Sequence, residues 1–240
     1  MDLPSEPHAG ARRVGPVDAE VLGARLREQS QIDDPTTGPV EPLEVEARGR
    51  IWPHVSQWAV IELTEISSSG ARRLEEYRFV PARDAQSVPV FAGTGVPVAI
   101  LFERSPNGLS RARIYSVEEL AAERAAPLPA DMRLRLTRAD DVVTRWFAAL
   151  QDGDMTATLG CFEPQGYLQS AQGERFSGRD RLRLLLARWF RRGGLNVRYC
   201  ARFDDGARTV LETLLPDGAP ALWICERGRS RALSAVRIYR

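Results

Sequence analysis

Apolar residues recur along this chain in two periods, and the change from one to the other marks off its elements. Across residues 18–29, Val21, Leu22 and Leu26 fall on one side of a helix. Residues 33–39, Asp-Asp-Pro-Thr-Thr-Gly-Pro, predict a loop. Alternating runs at 43–47, 58–66 and 73–80 predict strands, with Ser67-Ser68-Ser69-Gly70 as the turn joining the last two. Residues 96–103 and 109–115 predict a further hairpin around Ser105-Pro106-Asn107-Gly108.

The helical period returns after residue 138. Val142, Val143, Trp146, Phe147 and Leu150 form one apolar face behind a capping Asp140, and Asp152-Gly153-Asp154 interrupts it. A second short helix is expected to reach Phe162, followed by a strand at 166–170. A third helix over 180–192 turns Leu182, Leu185, Leu186, Trp189 and Phe190 inward and stops at Gly193-Gly194. Strands at 196–203, 207–215, 221–226 and 233–239 complete a meander, with Asp204-Asp205-Gly206 as its first turn.

The strand-rich parts of the two halves repeat one another. Gly70-Ala71-Arg72 with Glu76 returns as Gly206-Ala207-Arg208 with Glu212, at the same spacing. Glu103-Arg104 followed by Arg113-Ile114-Tyr115 returns as Glu226-Arg227 followed by Arg237-Ile238-Tyr239. A repeat this long implies two related domains. The expected division is a disordered tail at 1–16, a first domain at 17–118, a linker at 119–137 containing Pro127-Leu128-Pro129, and a second domain at 138–240.

Composition adds little to that picture. The formal net charge is +1, so no overall field draws the chain to nucleic acid or membrane. All 33 basic residues are arginine, which a GC-rich coding bias explains. The arginines of the 180–192 helix ring its solvent side, whereas Trp189 and Phe190 lie on the apolar side and are not interleaved for base stacking. Cys161, Cys200 and Cys225 match no zinc spacing and are expected to be buried free thiols. With no apolar segment near its start and no membrane-length run, the chain is expected to be soluble and cytoplasmic.

The run Trp146-Phe147-Ala148-Ala149-Leu150-Gln151-Asp152-Gly153-Asp154, with Cys161-Phe162-Glu163-Pro164, Gly178-Arg179 and the terminal Arg237-Ile238-Tyr239, resembles the nuclear transport factor 2-like superfamily, in its SnoaL-like (polyketide cyclase-like) branch. The resemblance spans about 138–240. In the first half it covers only the sheet portion, so that copy is degenerate. It implies an α+β fold of two tandem cones, each a curved antiparallel sheet packed on helices, the first with a reduced helical layer. It also implies a pocket and sheet-to-sheet pairing, which two copies in one chain satisfy as an intramolecular pseudo-dimer, leaving a monomer.

The superfamily hosts isomerases, cyclases and pure binding modules, so function must be argued from the site. Its steroid isomerases, a worked example of carboxylate tuning, use an Asp base and an oxyanion hole of Tyr and protonated Asp. On that pattern the base position falls on Ser170 and the buried acid near Trp223, and neither side chain performs those roles. The only histidines, His8 and His54, lie outside the second domain, which leaves no His-based pair or metal site there. Glu212 is the remaining acid/base candidate: it shares a strand face with Val210 and Leu214, and if that face lines the pocket, burial would raise its pKa. The structural alternative is an ion pair with Arg198, Arg202 or Arg237, and the recurrence of the residue as Glu76 favours it. Glu103, Glu226, Arg113 and Arg237 read as sheet ion pairs. Tyr167, Trp146, Gln169, Trp189 and Trp223 are the candidate lining of an apolar pocket.

Three readings compete. The first is a non-catalytic small-molecule-binding or accessory module without cofactor or metal, taking a small apolar or aromatic ligand. The second is a cofactor-independent isomerase, cyclase or dehydratase using Glu212. The third is a structural interaction protein.

Overall fold

The computed structural model of the chain describes residues 16–17, 19–29, 31–34, 38–40, 58–81, 96–104, 110–116, 141–192, 194–195, 197–216 and 218–240. Residues 1–15 of the expected tail, the strand at 43–47, His8, His54, Asp140, the 105–108 turn and the proline-containing linker lie outside the described residues, whereas Pro16, expected in the tail, is in a strand.

The N-terminal part contains β1 (Pro16–Val17), α1 (Ala19–Arg27), β2 (Gln31–Asp34), β3 (Gly38–Val40), β4 (Trp58–Ser69), β5 (Arg72–Pro81), β6 (Val96–Arg104) and β7 (Ser110–Ser116). These strands form one seven-stranded sheet in the order β1-β4-β5-β6-β7-β2-β3. The run from β4 to β7 is an antiparallel meander. The loop expected at 33–39 is replaced by strand pairing at both of its ends. β2 runs parallel to β7 with Ile32 opposite Ala112, and β3 folds back on β2. Ile32 is fully buried, so burial on the open edge of β7 overrides the turn-rich composition.

The C-terminal part follows the expected order of helix, helix, strand, helix and meander, with one added strand. It comprises α2 (Val142–Asp152), α3 (Met155–Gly160), β8 (Phe162–Gln169), β9 (Arg175–Ser177), α4 (Arg179–Arg191), β10 (Arg198–Asp204), β11 (Arg208–Leu214), β12 (Pro220–Arg227) and β13 (Leu233–Tyr239). The six-stranded sheet has the order β10-β11-β12-β13-β8-β9, with β8 parallel to β13.

Local chemistry explains the helix ends. Asp141 accepts from the Thr144 amide at the start of α2, and Gly153 ends that helix in the left-handed region at φ 69°. One residue on, Asp154 caps α3 by accepting from the Ala157 amide. The second helix stops at Gly160, short of Phe162, which instead opens β8.

Period-two alternation divides each sheet into two faces. In the C-terminal sheet Leu168, Leu211, Trp223, Cys225, Val236 and Ile238 pack with Val143, Phe147, Leu182 and Leu186 of the helices in one core. In the N-terminal sheet Tyr77, Phe79, Val98, Ile100 and Ile114 pack with Leu22 and Leu26 of α1. The remaining faces meet each other. Leu74, Ala99, Leu101 and Tyr115 of one sheet and Phe203, Val210, Leu222, Ile224 and Tyr239 of the other form a third core.

Candidate functional site

The face shared by the two sheets carries the repeated polar residues, and they bind across it. Glu212 on β11 receives hydrogen bonds from Arg113 Nε at 2.5 Å, Arg113 Nη2 at 2.7 Å and the Tyr115 hydroxyl at 2.5 Å, all from β7. Its counterpart Glu76 on β5 receives Arg237 Nε at 2.7 Å, Arg237 Nη2 at 2.9 Å and the Tyr239 hydroxyl at 2.8 Å, all from β13. Each arginine also holds a glutamate of its own sheet: Arg113 pairs with Glu103 at 3.1 Å and Arg237 with Glu226 at 3.0 Å. A third exchange joins backbone to side chain, since Arg72 donates to the Arg202 carbonyl and Arg208 to the Ile66 carbonyl.

The charges at this face are mutually stabilised. Burial alone would lower the Arg113 and Arg237 pKa values, but the facing carboxylates Glu212 and Glu76 hold them above the usual arginine value. Burial, then the neighbouring carboxylate, pushes the Tyr115 and Tyr239 hydroxyls well above the usual range, so both remain donors. Burial works against ionised Glu103, yet hydrogen bonds and charge from Arg72 and Arg113 prevail and hold its carboxyl low.

This geometry places the sequence candidates on two different faces. Glu212 does share a face with Val210, but that face abuts the other sheet rather than the helices. Its partners are Arg113 and Tyr115, not Arg198, Arg202 or Arg237, because Arg237 is occupied by Glu76. Tyr167 neighbours Leu168 on β8 and therefore points away from the helix-covered core. Its hydroxyl accepts from Arg237 Nη1 at 3.2 Å, and the Arg175 guanidinium lies 3.6 Å above its ring centroid. Gln169 is opposite Arg237 on β13 and Arg175 on β9. Tyr167 thus belongs to the arginine-rich face, Gln169 follows it on that face two residues along β8, and neither is brought together with the tryptophans.

Trp146, Trp189 and Trp223 are brought together. Trp223 lies at the centre of an edge-to-face cluster, with ring centroids 5.9 Å from Trp146, 5.3 Å from Phe147 and 6.4 Å from Trp189. Phe162 adds a contact 5.8 Å from Trp146, and Tyr199 one 5.4 Å from Phe147. Trp146 and Trp223 are fully buried, while Trp189 packs against the cluster half-buried. Sequence reasoning missed Tyr199. Parity groups it with Ala201 and Phe203, and Phe203 lies in the core between the sheets; the register irregularity between Tyr199 and Ala201 sets Tyr199 opposite Thr213 and turns it to the helix side, which sequence alternation does not signal.

Polar groups in this core are unevenly satisfied. The Trp223 indole N–H donates to Thr213 Oγ1 at 2.8 Å. The Trp146 Nε1, the Tyr199 hydroxyl and Ser170 Oγ are buried and find no partner among the described residues. An unpaired buried group of this kind costs about 1–3 kcal/mol. Burial pushes the Tyr199 hydroxyl above its usual pKa and pushes the Cys225 thiol up to about 12, so both are neutral near pH 7. At the start of α2, Asp141 joins Arg202 at 2.8 Å and Arg227 at 2.9 Å, and Arg227 also holds Asp204 at 2.7 Å, tying the helix to β10 and β12. Among the described residues, no group of three or more His, Cys, Asp or Glu side chains is arranged to hold a metal. Among the same residues, no helix is long and apolar enough to cross a membrane.

No protein-family model matches this chain, and no curated protein does. Solved structures similar to it include a SnoaL-like protein of unknown function from Burkholderia thailandensis, at 17% identity over 41% of this chain and 91% of that one, with a TM-score of 0.38. A putative polyketide cyclase from Sinorhizobium meliloti is 13% identical over 40% of this chain and 92% of that one, with a TM-score of 0.37. A hypothetical protein with a ketosteroid isomerase-like fold from Catenulispora acidiphila, in complex with trimethylamine, is 19% identical over 43% of this chain and 87% of that one, with a TM-score of 0.37.

Proposed function

We propose that this chain is a non-catalytic small-molecule-binding or accessory module. Its binding core is the helix-covered side of the second of two domains, at 138–240. The observation that carries the reading is the placement of Glu212. As the acid/base candidate it would have to meet a ligand in that core. Instead its carboxylate is on the opposite sheet face, with Arg113 and Tyr115 engaging both oxygens. A carboxylate held this way is a cross-link between sheets. The neutral aromatic cluster of Trp146, Phe147, Trp189 and Trp223 suits a flat apolar or aromatic ligand. The reciprocal contacts between the sheets also support an intramolecular pseudo-dimer, and hence a monomer in solution.

A thermal-shift screen of the full chain against aromatic and polyketide-like compounds tests the binding reading, because a ligand of the native state raises the midpoint. Compounds that raise it without being turned over are the expected result. Turnover of any of them that is lost in Glu212→Gln would reverse the reading. Light scattering at the mass of one chain is expected, and twice that mass would overturn the intramolecular pairing.

A further inference from the structure

Away from the aromatic core, α4 gathers charge that the fold does not use. Its inner side is apolar, with Leu182, Leu185 and Leu186 buried. On its outer side Arg179, Arg181, Arg183, Arg188, Arg191 and the following Arg192 are exposed, against a single acidic residue, Asp180. Among the described residues none of these arginines makes an ion pair, in contrast to Arg72, Arg113, Arg202, Arg227 and Arg237, each of which holds a carboxylate. Helix stability accounts for part of this charge only. Arg188 and Arg191 lie in the last turn, where a cation complements the helix dipole. Arg179 and Arg181 lie in the first turn, where the same dipole disfavours them. The pairs Arg179 with Arg183 and Arg188 with Arg192 also set like charges four residues apart, which costs the helix stability.

At the crest of this face stands Leu184, 66% exposed and, with Val21, one of two exposed large apolar side chains among the described residues. Arg181, Leu184, Arg188 and Arg191 fall at i, i+3, i+7 and i+10, on one stripe about 15 Å long. An apolar centre with a charged rim is the anatomy of a protein interface. A bilayer would find only one apolar side chain to take up, and a nucleic-acid strand would find no aromatic ring on this face to stack upon. The spacing also selects the form of the partner. A second helix repeats these intervals along one of its own faces, whereas an extended strand, with its longer rise and period of two, does not.

We propose that the outer face of α4 docks an acidic helical segment of a partner protein. Carboxylates of that segment pair with Arg181, Arg188 and Arg191, and an apolar side chain between them covers Leu184.

The test uses the full chain and a fluorescein-labelled, alanine-based helical peptide presenting Glu, Leu, Glu and Glu at that same i, i+3, i+7 and i+10 spacing. Anisotropy titrations at about 50 mM salt keep charge attraction from being screened away. Arg188→Glu should weaken binding by about 5-fold or more, because it sets like charges against each other. Arg229→Glu, the same charge change at an exposed position between β12 and β13, should leave it unaltered. Leu184→Ala should also weaken binding by about 5-fold, through apolar area lost from the contact. Glutamine in place of the peptide's glutamates should abolish it. All three substitutions are at exposed positions, and thermal melts matching the unmodified chain establish that each variant is folded. Absence of peptide binding would overturn the proposal. Equal losses in Arg188→Glu and Arg229→Glu, or no loss in Leu184→Ala, would reduce the contact to diffuse charge attraction and overturn it too. Tighter binding to phosphatidylserine vesicles or to duplex DNA than to the peptide, lost in Arg188→Glu, would replace the protein partner with that surface. None of these outcomes bears on the aromatic core, so the binding reading stands or falls separately.

Discussion

Arg113 on β7 clasps Glu212 on β11 through two hydrogen bonds, and the same clasp is made in the opposite sense by Arg237 on Glu76. Both pairs sit at positions where the sequences of the two halves match. Each arginine grips the other sheet's glutamate with Nε and Nη2; Arg237 reaches Glu226 with its remaining Nη1, whereas Arg113 reaches Glu103 with the same Nη2. The exchange joins the two sheets covalently unlinked at this point, and the nine residues of the third core surround it with apolar contact.

Removing one partner of such a pair leaves a buried charge without compensation, which typically costs about 3–5 kcal/mol. Arg113→Ala and Arg237→Ala should each lose stability on that scale in urea denaturation, and by similar amounts, because the two sites have matched partners. The side chains of Arg113 and Glu212 are 6% and 3% exposed, so solvent screening does not soften the effect. A loss below about 1 kcal/mol, the value of a surface ion pair, would show that the clasp is not a structural anchor.

Much of this was legible in the chain. The recurrence of Glu76 as Glu212 and of Arg113 as Arg237 pointed to strand positions, which all four occupy, and alternation correctly put Val210 with Glu212. Alternation could not say which face meets the helices, because both faces of these strands are buried: all of Arg208–Thr213 is buried. The crossing of partners was invisible for the same reason, since it depends on how two sheets pack. Parity could have moved Tyr167 off the core, because its neighbour Leu168 is the apolar residue of β8. The pairing of β2 with β7 was hidden by a segment rich in Asp, Pro and Gly, where an open sheet edge outweighed local preference.

Two glycines should respond oppositely to alanine. At Gly166 an added Cβ would lie 2.9 Å from the Leu233 carbonyl oxygen and 3.0 Å from that of Glu163, backbone atoms that cannot swing aside. Gly166→Ala should therefore destabilise by about 1–3 kcal/mol. At Gly160, the exposed last residue of α3, a Cβ meets nothing within 4 Å, and Gly160→Ala should be neutral or stabilising by up to about 1 kcal/mol. Thermal melts of the two variants check the contrast; a stable Gly166→Ala would mean that β8 and β13 separate more easily than their packing indicates.

Acid should weaken the α2 anchorage within a definable window. Burial would raise the Asp204 carboxyl, but hydrogen bonds from Arg227, Thr209 and the Gly206 amide bring it down to about 2. Asp141 is lowered by Arg227 and Arg202 against the same burial. In the unfolded chain an aspartate titrates near about 3.9. The native state therefore binds fewer protons, its advantage is complete above that value, and it declines as pH falls toward about 2. Urea-melt stability should accordingly drop between about pH 4 and pH 2. Asp204→Asn should be less stable at neutral pH and show a shallower drop over this range. Parallel pH profiles for the two proteins would remove Asp204 from the account.

The thiols give a readout of the helix-covered core that needs no substitution. Cys161, Cys200 and Cys225 are free and buried, and burial raises all three pKa values, Cys225 to about 12. The reactive species is the thiolate, so both low access and low ionisation slow alkylation. At pH 8 iodoacetamide should label all three promptly in urea and none promptly in the native state, as followed by mass spectrometry. Cys225, fully buried on β12 in the same core as Trp223, should be the last to react, at the rate of global opening. A ligand seated against that aromatic cluster should slow Cys225 further, by the same factor that it stabilises the native state. Prompt native labelling of Cys225 would mean that the core opens to solvent on its own, and the placement of the binding site there would have to be abandoned.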